Sequence, residues 1–136
     1  MRATVVLART AALTALVWVA ACGDGPTAPG IQPQITNNTD AFSYQVTGIQ
    51  GFSGTYSYTW QNTGTLAKIT HASDAGPTGS ATLTVQDANG TLVYSGQLAT
   101  SGQPLSSPAG VAGAWTIKLV YSGYSNTQVN FAVLKQ

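Results

Sequence analysis

An all-β fold, an antiparallel sandwich of about seven or eight short strands, is what this sequence predicts. Three observations lead there. Apolar or aromatic residues alternate with hydroxyl and amide residues at period two over most of the chain from about Ile35 onward, the mark of half-buried strands. Glycine, proline and asparagine punctuate these runs every eight to twelve residues or so, and no window beyond the first thirty residues carries a helical stripe.

The elements follow in order. Phe42, Tyr44 and Val46 alternate with Ser43, Gln45 and Thr47, and after a turn at Gly48 to Gly54 a second strand places Tyr56, Tyr58 and Trp60 opposite Ser57 and Thr59. Asn62-Thr63-Gly64 closes it. Thr65 to Ala72 forms a third strand, with Ala67, Ile69 and His71 on one side and Leu66, Lys68 and Thr70 on the other. Asp74 to Gly79 reads as a loop, and Ala81, Leu83 and Val85 resume the alternation. Asp87-Ala88-Asn89-Gly90 is the strongest hairpin signal in the chain, because Asn and Gly both tolerate positive φ. Thr91 to Leu98 returns from it, and the glycine- and proline-rich segment Ser101 to Gly113 holds a short edge strand around Leu105. Trp115, Ile117, Leu119 and Tyr121 make the clearest strand, and a turn at Ser122 to Asn126 leads to a last one carrying Val129, Phe131 and Val133.

Ahead of the sandwich lie two segments of another kind. Arg2 and Arg9 precede an apolar run from Thr10 to Ala21, which is too short to span a bilayer without drawing Arg9 into the hydrocarbon. The run ends in Val19-Ala20-Ala21-Cys22, with small residues before the only cysteine of the 136-residue chain. This resembles the lipobox of bacterial lipoprotein precursors, and the resemblance implies a signal peptide over 1–21 and a fatty acyl anchor such as palmitate on Cys22. It also implies a place in the bacterial cell envelope. Gly23, not aspartate, follows the cysteine, which in that family points to the outer membrane where a cell has one. Residues 22–34 read as a lipidated tether, whose proline- and glycine-rich stretch from Gly23 to Pro33 reaches about 30–35 Å when extended. The sandwich domain is then 35–136.

Charge excludes several functions. Without the leader, Lys68, Lys118 and Lys135 stand against Asp24, Asp40, Asp74 and Asp87, a net charge of −1 compared with +1 for the whole chain. So neutral a surface lacks the phosphate-neutralising groups of a nucleic-acid binder and the basic patch of a protein held by anionic lipid. The three lysines fall on the polar parity of strands or near their ends, where they are expected to guard sheet edges. A single cysteine committed to lipid leaves no disulfide.

Ser80 to Leu92, with the Asn89-Gly90 hairpin, followed by Gly113-Ala114-Trp115-Thr116-Ile117-Lys118-Leu119, is similar to the bacterial pre-peptidase C-terminal domain. That resemblance implies a jelly-roll-like sandwich serving as an accessory or adhesive module. Thr82 and Thr84 are neutral where many members carry acidic residues, which weighs against a calcium site.

Catalytic groups are scarce: one histidine, four aspartates and no glutamate. His71, Ser73 and Asp74 sit too close along one strand end to converge as a triad, so no catalytic residue, resident metal or cofactor is expected. Calcium at Asp87 and Asn89 with main-chain oxygens is the alternative to simple turn chemistry, which explains the same residues. Aromatic residues are the better lead. Tyr56, Tyr58 and Trp60 share one face and either fill the core, as the polar residues opposite favour, or form a platform for sugar rings. Tyr121 and Tyr124, flanking Gly123, are expected to be the exposed pair at a binding tip. The expectation is a membrane-anchored, non-catalytic binding or adhesion module for a glycan or envelope protein. The alternative is a structural envelope lipoprotein acting through protein contacts alone.

Overall fold

The computed structural model describes residues 31–74, 76–98 and 103–136. The expected leader, Cys22 and the tether as far as residue 30 lie outside them. Seven strands make up an antiparallel sheet: β1 (Gln34–Asn38), β2 (Ala41–Asn62), β3 (Ala67–Ser73), β4 (Thr78–Gln86), β5 (Leu92–Gln97), β6 (Leu105–Ser106) and β7 (Gly113–Lys135). The expected all-β, antiparallel class is thus the observed one.

Two strands dominate. β2 and β7 have 22 and 23 residues and pair with each other from Ala41↔Leu134 to Asn62↔Gly113. The sequence predicts a reversal in each, at Gly48 to Gly54 and at Ser122 to Asn126, and the structure corrects both. The chain runs straight through, and the glycines serve bulges instead. Register slips between Ile49 and Phe52 and between Phe52 and Gly54, where Gly48, Gly51 and Gly123 take φ of 67°, 57° and 54°. A bulge adds a residue to one strand and bends it without ending its pairing. Strands bent in this way pass from one layer of a sandwich to the other.

The bends divide the sheet. The first layer holds β1, the N-terminal half of β2, the C-terminal half of β7, β3 and β6; the second holds the other halves of β2 and β7 with β4 and β5. Inward residues then face each other across the fold. Tyr44, in the first half of β2, lies 6.2 Å from Tyr58 in the second, and Phe42 lies 5.4 Å from the same ring. The ends of β2 meet as well: the Asp40 amide donates to the Gln61 carbonyl at 2.8 Å, and the Thr63 amide donates to the Asp40 carboxylate at 2.7 Å. Lys135, closing β7, completes this clasp with an ion pair to Asp40 at 2.9 Å. The amide bond from Thr63 and then Lys135 hold the Asp40 carboxyl below its ordinary range.

Expected strand faces survive the change in topology. Phe42, Tyr44 and Val46, Ala67 and Ile69, Ala81, Leu83 and Val85, and Trp115, Ile117 and Leu119 are all buried. The Asn89-Gly90 hairpin joins β4 to β5, and β6 forms the short edge strand at Leu105. β1 was not foreseen. It opens at Gln34, and Ile31 just before it is buried in the core, so ordered structure begins inside the stretch read as tether.

The edge-guarding role expected of the lysines is also corrected. Lys118 pairs on both sides, with Ser57 and with Thr84, in the middle of the second layer. Lys68 lies between Leu134 and Ser106, and Lys135 is held by Asp40. β1 and β5, at opposite edges, contain no charged residue.

Where β4 passes the β7 bend, Gly79 adopts a φ of 71°, and a side chain there would run into the Gly123 carbonyl. Gly79→Ala is therefore expected to cost about 1–3 kcal/mol, read as a lower midpoint of urea unfolding. Gly90→Asn, at a positive-φ position with open space around it, should cost less.

Candidate functional site

The aromatic candidates turn inward. Tyr121 and Tyr124 are 2% and 1% exposed, which overturns the exposed pair expected of them. A bulge at Gly123 spaces them three residues apart on one face, where a reversal would have carried them to a tip. The Tyr121 hydroxyl meets the Tyr44 hydroxyl at 3.1 Å in the core. The Tyr124 hydroxyl donates to the Leu98 carbonyl at 2.9 Å and accepts from the Asn126 amide at 3.0 Å. Burial drives the Tyr44 phenol far above its ordinary value, with Tyr121 adding to the effect. Burial likewise raises Tyr121, although the bond to Tyr44 works the other way.

Trp60 is fully buried and meets Trp115 edge to face, with ring centroids 5.9 Å apart. Tyr56 and Tyr58 are half-buried on the same inner face, their rings parallel within 4° at 6.4 Å. Phe52 stacks on Tyr56 at 6.0 Å. Burial, and then Tyr56 beside it, pushes Tyr58 up to about 12. These rings join the two layers and offer no outward platform.

His71 and Ser73 share the inner face of β3, each with a buried polar atom that has no partner among the described residues. The Asp74 amide is bonded to the Gln128 carbonyl. Asp87 is almost wholly buried and its oxygens are occupied: Oδ1 accepts the amides of Asn89 and Thr91 at 3.0 and 2.8 Å, and Oδ2 accepts that of Val111 at 2.9 Å. Burial works to raise this carboxyl, but the three amide bonds outweigh it and hold the group below its ordinary range. A carboxylate so engaged fastens the hairpin to the loop before β7. Among the described residues no three His, Cys, Asp or Glu side chains come together as metal ligands.

The site that sequence reasoning missed lies on the outer face of the first layer. Ser43 and Gln45, which alternate with buried Phe42, Tyr44 and Val46, face a depression of about 420 Å³ that crosses β1, β2, β7 and β3. Two rows line it. One runs Gln34, Gln45, Asn130, Ala72 and the other Thr36, Ser43, Ala132, Thr70, each row set by strand register. Ala72 and Ala132 leave the hollow, since any longer side chain would fill it. Carboxamides and hydroxyls supply donors and acceptors without charge. None of these polar side chains is tied to a neighbour among the described residues, and Asn130 Oδ1 is buried with no partner there. A second depression of about 390 Å³ at the bulges differs in this respect. Ser125 accepts the Gly51 amide, and Asn126 is bonded to Tyr124 and to the Asp74 carbonyl.

No family profile and no curated protein matches the chain. Among solved structures, a carbohydrate-binding module of Cellvibrio mixtus lichenase 5A in complex with cellotriose is similar at 16% identity and a TM-score of 0.40, over 79% of this chain and 88% of that one. The family 11 carbohydrate-binding module of Clostridium thermocellum, in complex with a mixed-linked tetrasaccharide, is similar at 11% identity and a TM-score of 0.37, over 77% and 82%. A structure of infectious bursal disease virus, Gx strain, is similar at 16% identity and a TM-score of 0.31, over 77% of this chain and 32% of that one.

Two outcomes test these assignments. On alkaline titration followed by phenolate absorbance, Tyr58 should half-titrate near pH 12, with Tyr44 and Tyr121 ionising only as the fold is lost. Their folded values lie above the ordinary phenol value, so the stability they contribute is complete below about pH 10 and declines as pH rises beyond it. For Asp87 the sign is opposite. Its folded value is depressed, so its contribution is present above the ordinary carboxyl value of 3.8 and disappears as pH falls through the folded value. Asp87→Ala should lower the melting temperature at pH 7 and progressively less as pH falls below 3.8, and EDTA should leave the wild-type melting temperature unchanged.

Proposed function

We propose that this chain is a lipid-anchored, non-catalytic binding module of the bacterial cell envelope, and that the groove on the outer face of its first layer takes a neutral glycan. The observation that carries the reading is the uncharged groove itself, where carboxamide and hydroxyl side chains stand with their hydrogen-bonding capacity unspent over a floor of small residues. A polyhydroxylated ligand both donates and accepts hydrogen bonds along its length, and a lining of Gln, Asn, Ser and Thr answers in kind. A charged ligand would find no lysine, arginine, aspartate or glutamate in the groove, and His71, which also lines it, belongs to the inward-facing row. The engagement of Asp87 with backbone amides supports a module without metal chemistry. Acylation of Cys22 in the Val19-Ala20-Ala21-Cys22 segment would hold the module at the membrane, in the outer membrane where the cell has two.

One observation favours the second reading, a structural lipoprotein that acts through protein contacts. β1 and β5 are edge strands without a charged residue, and uncharged edges accept strands from other chains.

A glycan array probed with the full chain in detergent separates the readings. Defined sugar binding that is lost in Ala132→Trp, with the melting temperature retained, is expected of the groove. Absence of sugar binding together with co-purification of one envelope protein would favour the structural role. Palmitate labelling that is lost in Cys22→Ala is the expected result for the anchor.

A further inference from the structure

We propose that the groove selects glycans whose sugars carry acetamido groups, an inference that rests on the glycan-binding reading above. Strand register places three carboxamides side by side: Gln34 on β1 pairs with Gln45 on β2, and Gln45 pairs with Asn130 on β7. Neighbouring strands lie about 4.8 Å apart, so the three amides form a ladder of roughly 10 Å across the groove.

A sugar hydroxyl donates and accepts at one oxygen, whereas an acetamido group is trans, its N–H and C=O pointing opposite ways, so it can give its N–H to the C=O of one carboxamide and accept from the NH₂ of the next along the ladder. Asn130 Oδ1 is the sharpest case. It has no donor within the described structure, and an acceptor left unmatched is costly until a turn of the side chain brings it to a donor on a ligand. Beside it, Ala72 pairs with Asn130 in the same row and Ala132 lies in the next. Their methyl groups leave apolar room of the size an acetyl methyl occupies.

The absence of ring planes on this face points the same way. Tyr44 and Phe131 lie beneath the groove but are turned into the core, at 1% and 3% exposure. A sugar recognised by the stacking of its C–H face has no aromatic surface to meet among the groove residues, so polar contacts must discriminate.

Isothermal titration of the full chain in detergent with triacetylchitotriose, the same trisaccharide bearing free amines, and cellotriose tests the proposal. Triacetylchitotriose is expected to bind about tenfold or more tighter than either of the others, the worth of one well-placed hydrogen bond. Gln45→Ala, at an exposed position that leaves folding intact, and Asn130→Ala are each expected to erase that preference, with Ser57→Ala on the outer face of the second layer keeping it. Equal binding of cellotriose, or a preference that survives in both groove variants, would overturn the acetamido inference and leave the glycan reading standing. No binding of any of the three sugars would overturn both.

Discussion

The paired bulges in β2 and β7 are the constraint on which the rest of this structure depends. Each long strand must cross from one layer to the other while remaining hydrogen-bonded to its partner, and it must bring its apolar residues inward on both sides of the crossing. Three-residue steps do this: Val46 to Ile49 to Phe52 in β2, and Tyr121 to Tyr124 and Asn126 to Val129 in β7, with all seven side chains buried. A two-residue step at any of these points would send the following half-strand inside out. Once the bend is fixed, Tyr44 can reach Tyr121, the ends of β2 can meet at Asp40, and the aromatic rings fill the space between the layers. The outer face of the first layer, and with it the groove, takes its shape from the same bend.

Much of the fold was legible because burial parity is local. The alternation of Phe42, Tyr44 and Val46 or of Trp115, Ile117 and Leu119 needs no knowledge of neighbours, and Asn89-Gly90 specifies a turn by backbone preference alone. Gly48, Gly51 and Gly123 were misread for an equally physical reason. Positive φ serves a hairpin and a bulge alike, and the residues themselves do not say whether the partner strand continues past them. The spacing held the clue, since apolar residues three apart on either side of a glycine keep one face in step through a bulge. β1 escaped because Gln-Ile-Thr-Asn-Asn is exposed throughout; its place comes from pairing with β2 and not from any core it forms.

The site was less legible than the fold. Aromatic side chains attract attention in a sequence, but Tyr56, Tyr58, Trp60, Tyr121 and Tyr124 are the means by which a chain without disulfides fills its interior. Gln34, Gln45, Asn130 and Ala72 come from four strands and span almost a hundred positions. Nothing in their local context marks them, and only register unites them. Asp87 stands between these cases: its turn role followed from the residues around it, whereas its bond to Val111 depended on the loop before β7.

The central position of β7 bears on how the molecule acquires its shape. The last of the described strands in chain order is the one against which β2, β3 and β4 all lie, and Ala41 finds its partner only at Leu134. Neither layer can therefore close before β7 is available, and such distant pairings make for slow acquisition of structure. Loss of β7 would remove the spine of the fold rather than trim its edge.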